Sequence, residues 1–415
     1  MTLPRLTESP LVRSAGFSYF PIAFVARLPF AMMVVGVLTL VVAERDSVAL
    51  GGLNSAVAGI GTALAGPLLG AAADRFGQRR VLVPLGLLNA VLLGSFVLVV
   101  RSSAPDLAVL ALSVLIGATA PQVAPLSRTR LVAIIRSKVQ PHRREKLLNG
   151  TMAYESAADE MVFIVGPFLV GALATAIAPW VAIAGAAALT AVFVTAFALH
   201  PTGRLQPGTA EQHADRAPAR ELARLPLMTV VVGTLGVGLF FGATLTSLTG
   251  FLADGGDGDR AGLLYGVMGI GSAALALGSA VLPQRFTLRA RWLVFGAVLL
   301  AAAIGYATAR SEAGLIVALA ILGLGIGPTL VTLYSLAATL SPAGRSATTM
   351  TMLGSAVVVG QAVASALTGA VVDSSGPTTA LALPAVAAAL VLVCGVAHRA
   401  PAQLPVAQDR ELVSA

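Results

Sequence analysis

The sequence predicts an all-α integral membrane protein with twelve spanning helices, and three observations carry this prediction. Hydrophobic residues make up 57% of the 415 residues and charged residues only 11%, whereas about 25% of a soluble globular chain is charged. Apolar runs of membrane-spanning length recur along the whole chain. Most charged residues lie in the short gaps between these runs. A water-soluble fold could not bury this much apolar surface, so a lipid bilayer must surround much of the chain.

The predicted spans begin and end at charged residues or at gaps rich in proline and glycine. In chain order they are 18–43, 48–70, 81–100, 107–127, 151–175, 179–199, 226–252, 262–283, 292–309, 313–338, 347–371 and 378–398. A helix needs about 20 residues to cross the hydrocarbon layer, and most of these runs supply them. The ninth run is short, and the fifth contains three carboxylates. The first run is too long for the core of a signal peptide, so we expect it to remain as a span.

The basic residues follow alternate gaps between the spans. With a cytoplasmic N-terminus, the cytoplasmic segments hold 22 of the 27 lysines and arginines, Arg128 and Arg130 among them, and the opposite segments hold four. Short cytoplasmic loops of membrane proteins carry such an excess of positive charge. The distribution predicts a multi-pass protein of the plasma or inner membrane with both termini cytoplasmic. It argues against a nucleic-acid partner, because the net charge of +8 is spread over many gaps and forms no single patch.

The longest polar interruption within the spanning body divides the spans into six and six. The sequence therefore predicts a cytoplasmic N-terminal tail, a six-helix bundle, a cytoplasmic linker, a second six-helix bundle and a cytoplasmic tail, over 1–17, 18–199, 200–225, 226–398 and 399–415. A weak internal repeat supports two related halves. The pattern Arg75-Phe76-x-x-Arg79 in the first half recurs as Arg285-Phe286-x-x-Arg289 in the second.

A short charged turn between the second and third spans is a specific motif of this chain. It reads Gly70-Ala71-Ala72-Ala73-Asp74-Arg75-Phe76-Gly77-Gln78-Arg79-Arg80. This turn resembles the loop between the second and third helices of the major facilitator superfamily, G-x-x-x-D-R-x-G-R-R with one variable residue before the final basic pair. The resemblance implies the major facilitator fold, in which two pseudo-symmetric six-helix bundles surround a central substrate site. It also implies secondary transport.

The same resemblance implies a cytoplasmic gate, in which Asp74 contacts the eleventh helix and holds one conformation. The candidate gating residues are Gly70, Asp74, Arg75, Gly77, Arg79 and Arg80. The residues alone leave open an alternative in which the arginines only fix the topology. The copy in the second half has Gln284 and Thr287 in place of the acid and the second glycine, so we expect the gate to be asymmetric.

Four charged residues lie inside predicted spans, where each costs about 2.5–3.5 kcal/mol on insertion scales and normally faces a partner or water. Arg27 lies in the first span, and Glu155, Asp159 and Glu160 lie in the fifth. We expect Arg27 to pair with Asp159 or Glu160, which lie at a similar depth, so that the other carboxylate is free to carry a proton. These four residues are the candidate proton-coupling group, with protons as the coupling ion and no other cofactor.

Several alternatives for these charges remain open. Glu155 could pair with Arg128 or Arg130 at the cytoplasmic boundary, Glu160 could belong to a structural ion pair, and Arg27 could bind an anionic group of the substrate. The fourth helix of many proton-coupled members of the superfamily carries an intramembrane arginine followed by Gln-Gly. The predicted fourth span has no arginine before Arg128. Either Arg27 substitutes for that arginine, or the coupling ion is not a proton.

The fifth span contains a second family-like element. The stretch from Gly166-Pro167 to Gly171 resembles the fifth-helix G-P-x-x-x-G element of the twelve-helix drug:proton antiporters of the superfamily. Proline removes one backbone hydrogen bond and glycine permits close helix packing. The resemblance implies antiport and efflux.

Family analogy places the substrate cavity among the first, fourth, seventh and tenth helices. The candidate lining residues are Met32, Gln122, Phe240, Phe241, Thr244 and Tyr334. Such a cavity is largely apolar, which suits an amphipathic organic molecule better than a sugar with many hydroxyl groups.

Other classes of protein and site find little support in the sequence. The only cysteine, Cys394, lies in an apolar run, and the four histidines have no metal-ligand spacing, so we expect no metal site. No nucleophile–base pair is visible, so we expect no enzyme. We expect a small-molecule substrate, a surrounding lipid bilayer and function as a monomer. The alternatives are a uniporter or importer of a small anionic solute bound by Arg27, and a membrane sensor that uses the same fold without transport.

Overall fold

The computed structural model describes residues 10–45, 47–204, 217–254, 261–283 and 285–398. Within these ranges the chain is helical without strands, and twelve helices are long and apolar enough to cross a membrane. The predicted all-α membrane fold is therefore confirmed. The predicted tail 399–415 lies outside the described residues, as do parts of the predicted N-terminal tail and linker.

Six spans form the first half of the molecule, after a short helix at Pro10–Ala15. They are α1, formed by Tyr19–Val25 and Leu28–Arg45; α2, Val48–Phe76; α3, Gln78–Val100; α4, formed by Asp106–Ala118 and Val123–Lys138; α5, Pro141–Ala176; and α6, Pro179–Leu199. The last of these contains a π-helical turn at Thr190–Val194. A 3₁₀ turn at Pro201–Arg204 follows α6.

Six further spans form the second half, after a 3₁₀ turn at Ala219–Ala223. They are α7, Leu225–Asp254; α8, Ala261–Gly278; α9, Leu288–Thr308; α10, Glu312–Leu340; α11, Ser346–Ser375; and α12, Pro377–Ala397. Each half has its own hydrophobic core. The core of the second half also includes Val132 of α4 and Met152 of α5, so the two halves pack against each other there.

Two spans of the first half are broken within the membrane. The break in α1 falls at Ala26 and Arg27. The Arg27 N–H bonds to the Phe24 carbonyl and the Phe30 N–H to the Arg27 carbonyl, three residues back rather than four. Pro29 lacks the N–H that would continue the helical ladder across this point. The break in α4 lies at 119–122 and contains Pro121, which likewise lacks the N–H that would continue the helix. These breaks place Arg27 and the second segment of α4 in the interior.

The predicted fourth span, 107–127, is too short. In the structure α4 continues to Lys138, and Arg128 and Arg130 lie inside the protein with 1% of each residue exposed. The prediction that these two arginines belong to a cytoplasmic loop is therefore wrong. The prediction ended the span before Arg128 because arginine is charged. In the structure the guanidinium groups of Arg128 and Arg130 both have partners within the protein. The fifth helix, predicted as 151–175, likewise begins earlier, at Pro141.

The two halves approach closely at the end of the molecule that carries the turn between α2 and α3, with Arg75, Arg79 and Arg80. We call this end the basic side. Here α2 packs along α11, α4 contacts α11, and α5 packs against α8. Side chains of α4 also reach α10.

Candidate functional site

Asp74, at the basic-side end of α2, binds the first turn of α11. Its carboxylate accepts hydrogen bonds from the backbone N–H groups of Ala347, at 3.0 Å, and Thr348, at 2.8 Å, and from the Thr348 hydroxyl at 2.7 Å. The first N–H groups of a helix have no partner within the helix, and the positive end of the helix dipole favours an anion. Asp74 of the first half thus caps a helix of the second half.

Close packing of α2 on α11 accompanies this contact. A Cβ atom on Gly70 would lie 2.8 Å from the Ala347 carbonyl oxygen and would collide with the Thr351 hydroxyl, and one on Gly66 would collide with the Ser355 hydroxyl. Glycine is therefore required at position 70 for the two backbones to approach. The structure brings Gly70 and Asp74 together on one helix–helix contact.

The remaining residues of the motif lie at the turn itself. Gly77 ends α2 with φ of +88°, a conformation that favours glycine. Arg75 lies over the ring of the adjacent Phe76, with 5.2 Å from its Cζ to the ring centroid. Arg79 and Arg80 are exposed on the first turn of α3.

A second contact between the halves binds the end of α10, at the other side of the α10–α11 connection. Arg136, near the end of α4, donates a hydrogen bond of 2.5 Å to the carbonyl oxygen of Ala338, in the last turn of α10. The last carbonyls of a helix lack partners and carry negative partial charge, so a cation is favourable there. The connection is also held by the linker, where Ala217 accepts a hydrogen bond from Arg345 Nε at 2.6 Å and donates one to the Ala343 carbonyl.

Arg27, at the break in α1, forms ion pairs with two carboxylates of α5. Its Nη2 atom lies 2.5 Å from Glu155 Oε2, and its Nη1 atom lies 3.5 Å from Asp159 Oδ1. Glu155 is completely buried, whereas 22% of the Asp159 side chain is exposed. The sequence predicted a pair between Arg27 and Asp159 or Glu160. The structure adds Glu155 as the closer partner, because it lies one helical turn before Asp159 on the same face of α5.

Arg128 joins this cluster from α4. Its Nη2 atom donates to Asp159 Oδ2 at 2.6 Å, and its guanidinium carbon lies 3.8 Å from the centre of the Tyr334 ring on α10. Two arginines and two carboxylates therefore form a neutral group, which we call the charge cluster. Asp159 is the carboxylate that both arginines share. The fourth helix therefore carries a buried arginine, Arg128, although Thr129 and Arg130 follow it rather than Gln-Gly.

Two hydroxyl groups support Glu155 from the side of α1 and α4. The Ser127 hydroxyl donates to Glu155 Oε1 at 3.0 Å, and the hydroxyl groups of Tyr19 and Ser127 lie 2.7 Å apart. Tyr19 is completely buried. Glu155 is therefore held by Arg27 at one carboxylate oxygen and by Ser127 at the other, whereas both oxygens of Asp159 face arginines.

Arg130, which the sequence offered as a possible partner of Glu155, is a buried cation that binds other groups. It donates to the Gln78 side chain at 2.6 Å and to the Phe197 carbonyl, in the last turn of α6, at 2.6 Å. Its guanidinium also lies over the Phe197 ring, at 3.9 Å. Partial burial, and then the positive charge of Arg130, lower the pKa of His200, just beyond α6. The His200 Nδ1 atom lies 3.0 Å from the Thr202 hydroxyl. Arg130 thus fastens α3, α4 and α6 together at the basic side.

Of the two glycines in the fifth-helix element, Gly166 is tightly packed and Gly171 faces open space. A Cβ on Gly166 would lie 2.6 Å from Ala31 Cβ, so this glycine allows α5 to approach α1, whereas nothing lies within 4 Å of the corresponding position on Gly171. The helix runs without interruption through Pro167. The side chains of Pro167 and Glu160 lie outside the part of the structure that is described.

The predicted cavity residues do not share one environment. Met32 and Phe240 are core residues of the first and second halves, and the Thr244 hydroxyl bonds to the Phe240 carbonyl of its own helix at 2.7 Å. That these three residues line one substrate cavity stays a prediction. Phe241 is half-buried against the core of the second half, and Gln122 bonds to the Ala120 carbonyl within the α4 break. Tyr334 contacts the charge cluster.

The described part of the chain contains no group of three or more His, Cys, Asp or Glu residues placed to hold a metal ion. Cys394 is a buried free thiol in α12.

Solved structures of several membrane transporters have the same fold. The chain matches a bacterial homologue of the iron transporter ferroportin in its outward-facing state with a TM-score of 0.72 and 15% identity, over 92% of this chain and 98% of that one. It matches the human organic anion transporter MFSD10 with a TM-score of 0.68 and 18% identity, over 92% and 99%. It matches a variant of the Escherichia coli fucose:proton symporter FucP with a TM-score of 0.65 and 15% identity, over 92% and 100%.

Sequence comparisons give a family but no individual relative. No curated protein matches the chain. Residues 19–350 match the sequence profile of the Major Facilitator Superfamily, which covers most of the chain and all but the last two spans. With the twelve-helix fold and the contact between Asp74 and α11, this match shows that the protein is a membrane transporter that belongs to the major facilitator superfamily.

Proposed function

We propose that the protein is a proton-coupled antiporter that exports small amphipathic or hydrophobic organic molecules in exchange for protons. The charge cluster carries this proposal. Asp159 is partly exposed and is shared by Arg27 and Arg128, whereas Glu155 is buried and held by Arg27 and Ser127. Asp159 is therefore the carboxylate best placed to exchange a proton, and Arg27, Glu155 and Glu160 complete the candidate coupling group.

In the proposed cycle, the two six-helix bundles alternate between access from either side of a central site. The basic side faces the cytoplasm, following the distribution of basic residues. With Asp159 ionised, the charge cluster is neutral and the basic side is closed. A proton from the opposite side neutralises Asp159, weakens its pairs with both arginines and releases the gate formed by Gly70, Asp74 and the adjacent turn. The protein works as a monomer.

Two further observations support the direction of transport and the substrate class. The Gly166-Pro167 element with Gly171 resembles that of drug:proton antiporters, which favours export. Apolar side chains such as Phe241 near the centre of α7 favour an amphipathic or hydrophobic molecule over a sugar. The proposed location is the plasma or inner membrane, with both termini in the cytoplasm.

Transport in everted vesicles under an imposed pH gradient tests this proposal. Ethidium and other fluorescent amphipathic dyes serve as probes. We expect gradient-driven uptake by the unaltered protein and loss of the pH dependence in Asp159→Asn. Asp106→Asn is the matched control, because this acid is exposed at the start of α4, far from the cluster along the helix. If Asp159→Asn and Glu160→Gln each leave gradient-driven uptake unchanged, the proton-carrier assignment is wrong.

A specific observation favours a second candidate, the uniport or import of a small anionic solute bound by Arg27. The Nε and Nη1 atoms of Arg27 and the Nε atom of Arg128 are buried and have no hydrogen-bond partner. Such donors suit a carboxylate, and one structural neighbour is described as an organic anion transporter. For this candidate, Arg27→Lys raises the KM for a small carboxylate while transport shows no dependence on the pH gradient. Uncharged esters of the same acids serve as controls.

A further inference from the structure

Arg128 is a point where the charge cluster of the first half touches the second half. Its guanidinium lies between the Asp159 carboxylate, at 2.6 Å, and the face of the Tyr334 ring, at 3.8 Å. Asp159 belongs to α5 and Tyr334 to α10, so one buried cation has one partner in each half. Both Arg128 and Tyr334 are buried.

A second arginine of α4 extends this contact toward the basic side. Arg136 lies eight residues after Arg128, and Ala338, whose carbonyl it binds, lies four residues after Tyr334. Residues four and eight positions apart lie on nearly the same face of a helix. One face of α4 therefore contacts one face of α10 at two levels. In the interior Arg128 lies on the Tyr334 ring, and at the basic side Arg136 binds the end of α10.

The two levels differ in what holds the arginine in place. Arg136 is bound by a backbone carbonyl, which does not titrate. Arg128 is bound by Asp159, and a neutral Asp159 would leave the guanidinium without its anion while Arg27 keeps Glu155. An aromatic ring attracts a desolvated cation, but it is a weaker partner than a carboxylate for a fully buried charge. The contact between Arg128 and Tyr334 therefore depends on the charge of Asp159.

We propose that the stacking of Arg128 on Tyr334 transmits the protonation of Asp159 to α10, so that Tyr334 is a positioning residue for the opening of the basic side. This inference rests on the proton coupling proposed above. When Asp159 is ionised, Arg128 is held against the ring and joins the halves. When Asp159 is neutral, Arg128 leaves the ring, and the contact between α4 and α10 at this level is lost.

Several charged or titratable groups face Asp159 and belong to the same response. Arg27 faces it from α1 and Arg128 from α4, Glu155 precedes it by one turn on α5, and the Tyr334 hydroxyl belongs to the facing ring on α10. Glu155 keeps Arg27 paired whatever the state of Asp159, because its other oxygen is bound by Ser127. When Asp159 is neutral, Arg128 is therefore the arginine that loses its anionic partner.

The distance between spin labels on the two halves tests the inference without a known substrate. Lys138→Cys at the end of α4 and Arg289→Cys on α9 are exposed label sites at the basic side, in a Cys394→Ser background. In the full-length protein in lipid nanodiscs, we expect short distances at alkaline pH and longer distances at acidic pH. Asp159→Asn is expected to give the longer distances at every pH.

Two substitutions at Tyr334 separate the ring from the hydroxyl. Tyr334→Phe keeps the aromatic face and is expected to keep the pH-dependent change. Tyr334→Leu removes the face and is expected to abolish the change, with Tyr334→Met as a replacement if the leucine variant does not fold. A change retained in both non-aromatic variants, or lost in Tyr334→Phe, overturns the inference. If the unaltered protein shows no pH-dependent change, the proposed proton coupling itself fails.

Arg136 supplies the control at the other level of the same contact. Arg136→Gln is expected to lengthen the distances at all pH values but to leave the pH-dependent change intact, because this arginine does not contact Asp159. Arg144→Gln is its matched control, since Arg144 binds the Val139 carbonyl within its own half, at 2.8 Å, and should change nothing. Loss of the pH-dependent change in Arg136→Gln would assign the response to the basic-side contact and overturn the role of Tyr334.

Discussion

At the scale of single residues, the interior of the first half is built around charge balance. A charge at mid-bilayer costs about 2.5–3.5 kcal/mol on insertion scales, yet Arg27, Arg128 and Glu155 are almost completely buried. The cost is offset because each guanidinium has a carboxylate within ion-pair distance. Removal of one member therefore leaves one buried charge in excess, which is worse than the removal of a pair of opposite charges.

This balance predicts the behaviour of Glu155. Glu155→Gln leaves Arg27 and Arg128 to share Asp159, so one buried positive charge is in excess. It is expected to lower the free energy of unfolding by about 3–5 kcal/mol, the cost of an uncompensated buried charge, and to lower the melting temperature in detergent micelles. The double variant Arg27→Gln with Glu155→Gln should recover most of that loss, since no charge is then orphaned. Equal melting temperatures for the single and double variants would contradict this account of the pair.

At the scale of helices, glycine decides how closely α2 and α11 approach. Gly66 and Gly70 lie against the Ser355 and Thr351 side chains and the α11 backbone, at the level where Asp74 reaches the first turn of α11. Without a hydrophobic driving force between helices in lipid, small residues provide the close packing that holds them together. The capping hydrogen bonds of Asp74 are possible because the two backbones are this near.

A matched pair of glycine substitutions on α2 tests this contact. In Gly70→Ala the new Cβ would lie 2.8 Å from the Ala347 carbonyl oxygen, so the helices must separate and the basic side should open. Gly59→Ala is the control, because nothing lies within 4 Å of its added Cβ. A cysteine introduced at the basic side should be labelled more strongly by a membrane-impermeant thiol reagent in Gly70→Ala than in the unaltered protein, and equally in Gly59→Ala. Equal labelling of the two variants would show that position 70 has no special packing role.

At the scale of the whole molecule, the first half holds the second by the α10–α11 connection. An anion, Asp74, caps the start of α11, and a cation, Arg136, caps the end of α10. Each charge matches the dipole of the helix end that it binds. The connection is also tied to the linker through Ala217 and Arg345. The basic side is therefore closed by several contacts on one short segment of the second half.

Asp74→Asn is expected to shift this closure without abolishing it. Hydrogen bonds to a charged group contribute about 1.5–3 kcal/mol, so the ratio of closed to open molecules should fall by roughly ten-fold or more, at 1.4 kcal/mol per factor of ten. The spin-label distances between α4 and α9 should lengthen, while Asp106→Asn leaves them unchanged. An unaltered distance distribution in Asp74→Asn would mean that Asp74 makes no net contribution to closure.

Composition and hydropathy by themselves determined the fold class and the number of spans, because a bilayer imposes one length and one polarity on every crossing segment. The short turn with Asp74 also pointed to the family, since its residues lie close together in the chain. The predicted domain limits, topology and coupling direction remain predictions.

Only the tertiary structure decided which charges meet. Arg128 and Arg130 looked like loop residues because hydropathy treats every arginine as a reason to end a span. Their partners, Asp159, Tyr334 and Gln78, lie tens to hundreds of residues away, so no local pattern could reveal that these guanidinium groups are compensated. The choice of Glu155 as the nearer partner of Arg27 likewise depends on helix rotation, which is set by packing between helices rather than by the sequence of either one.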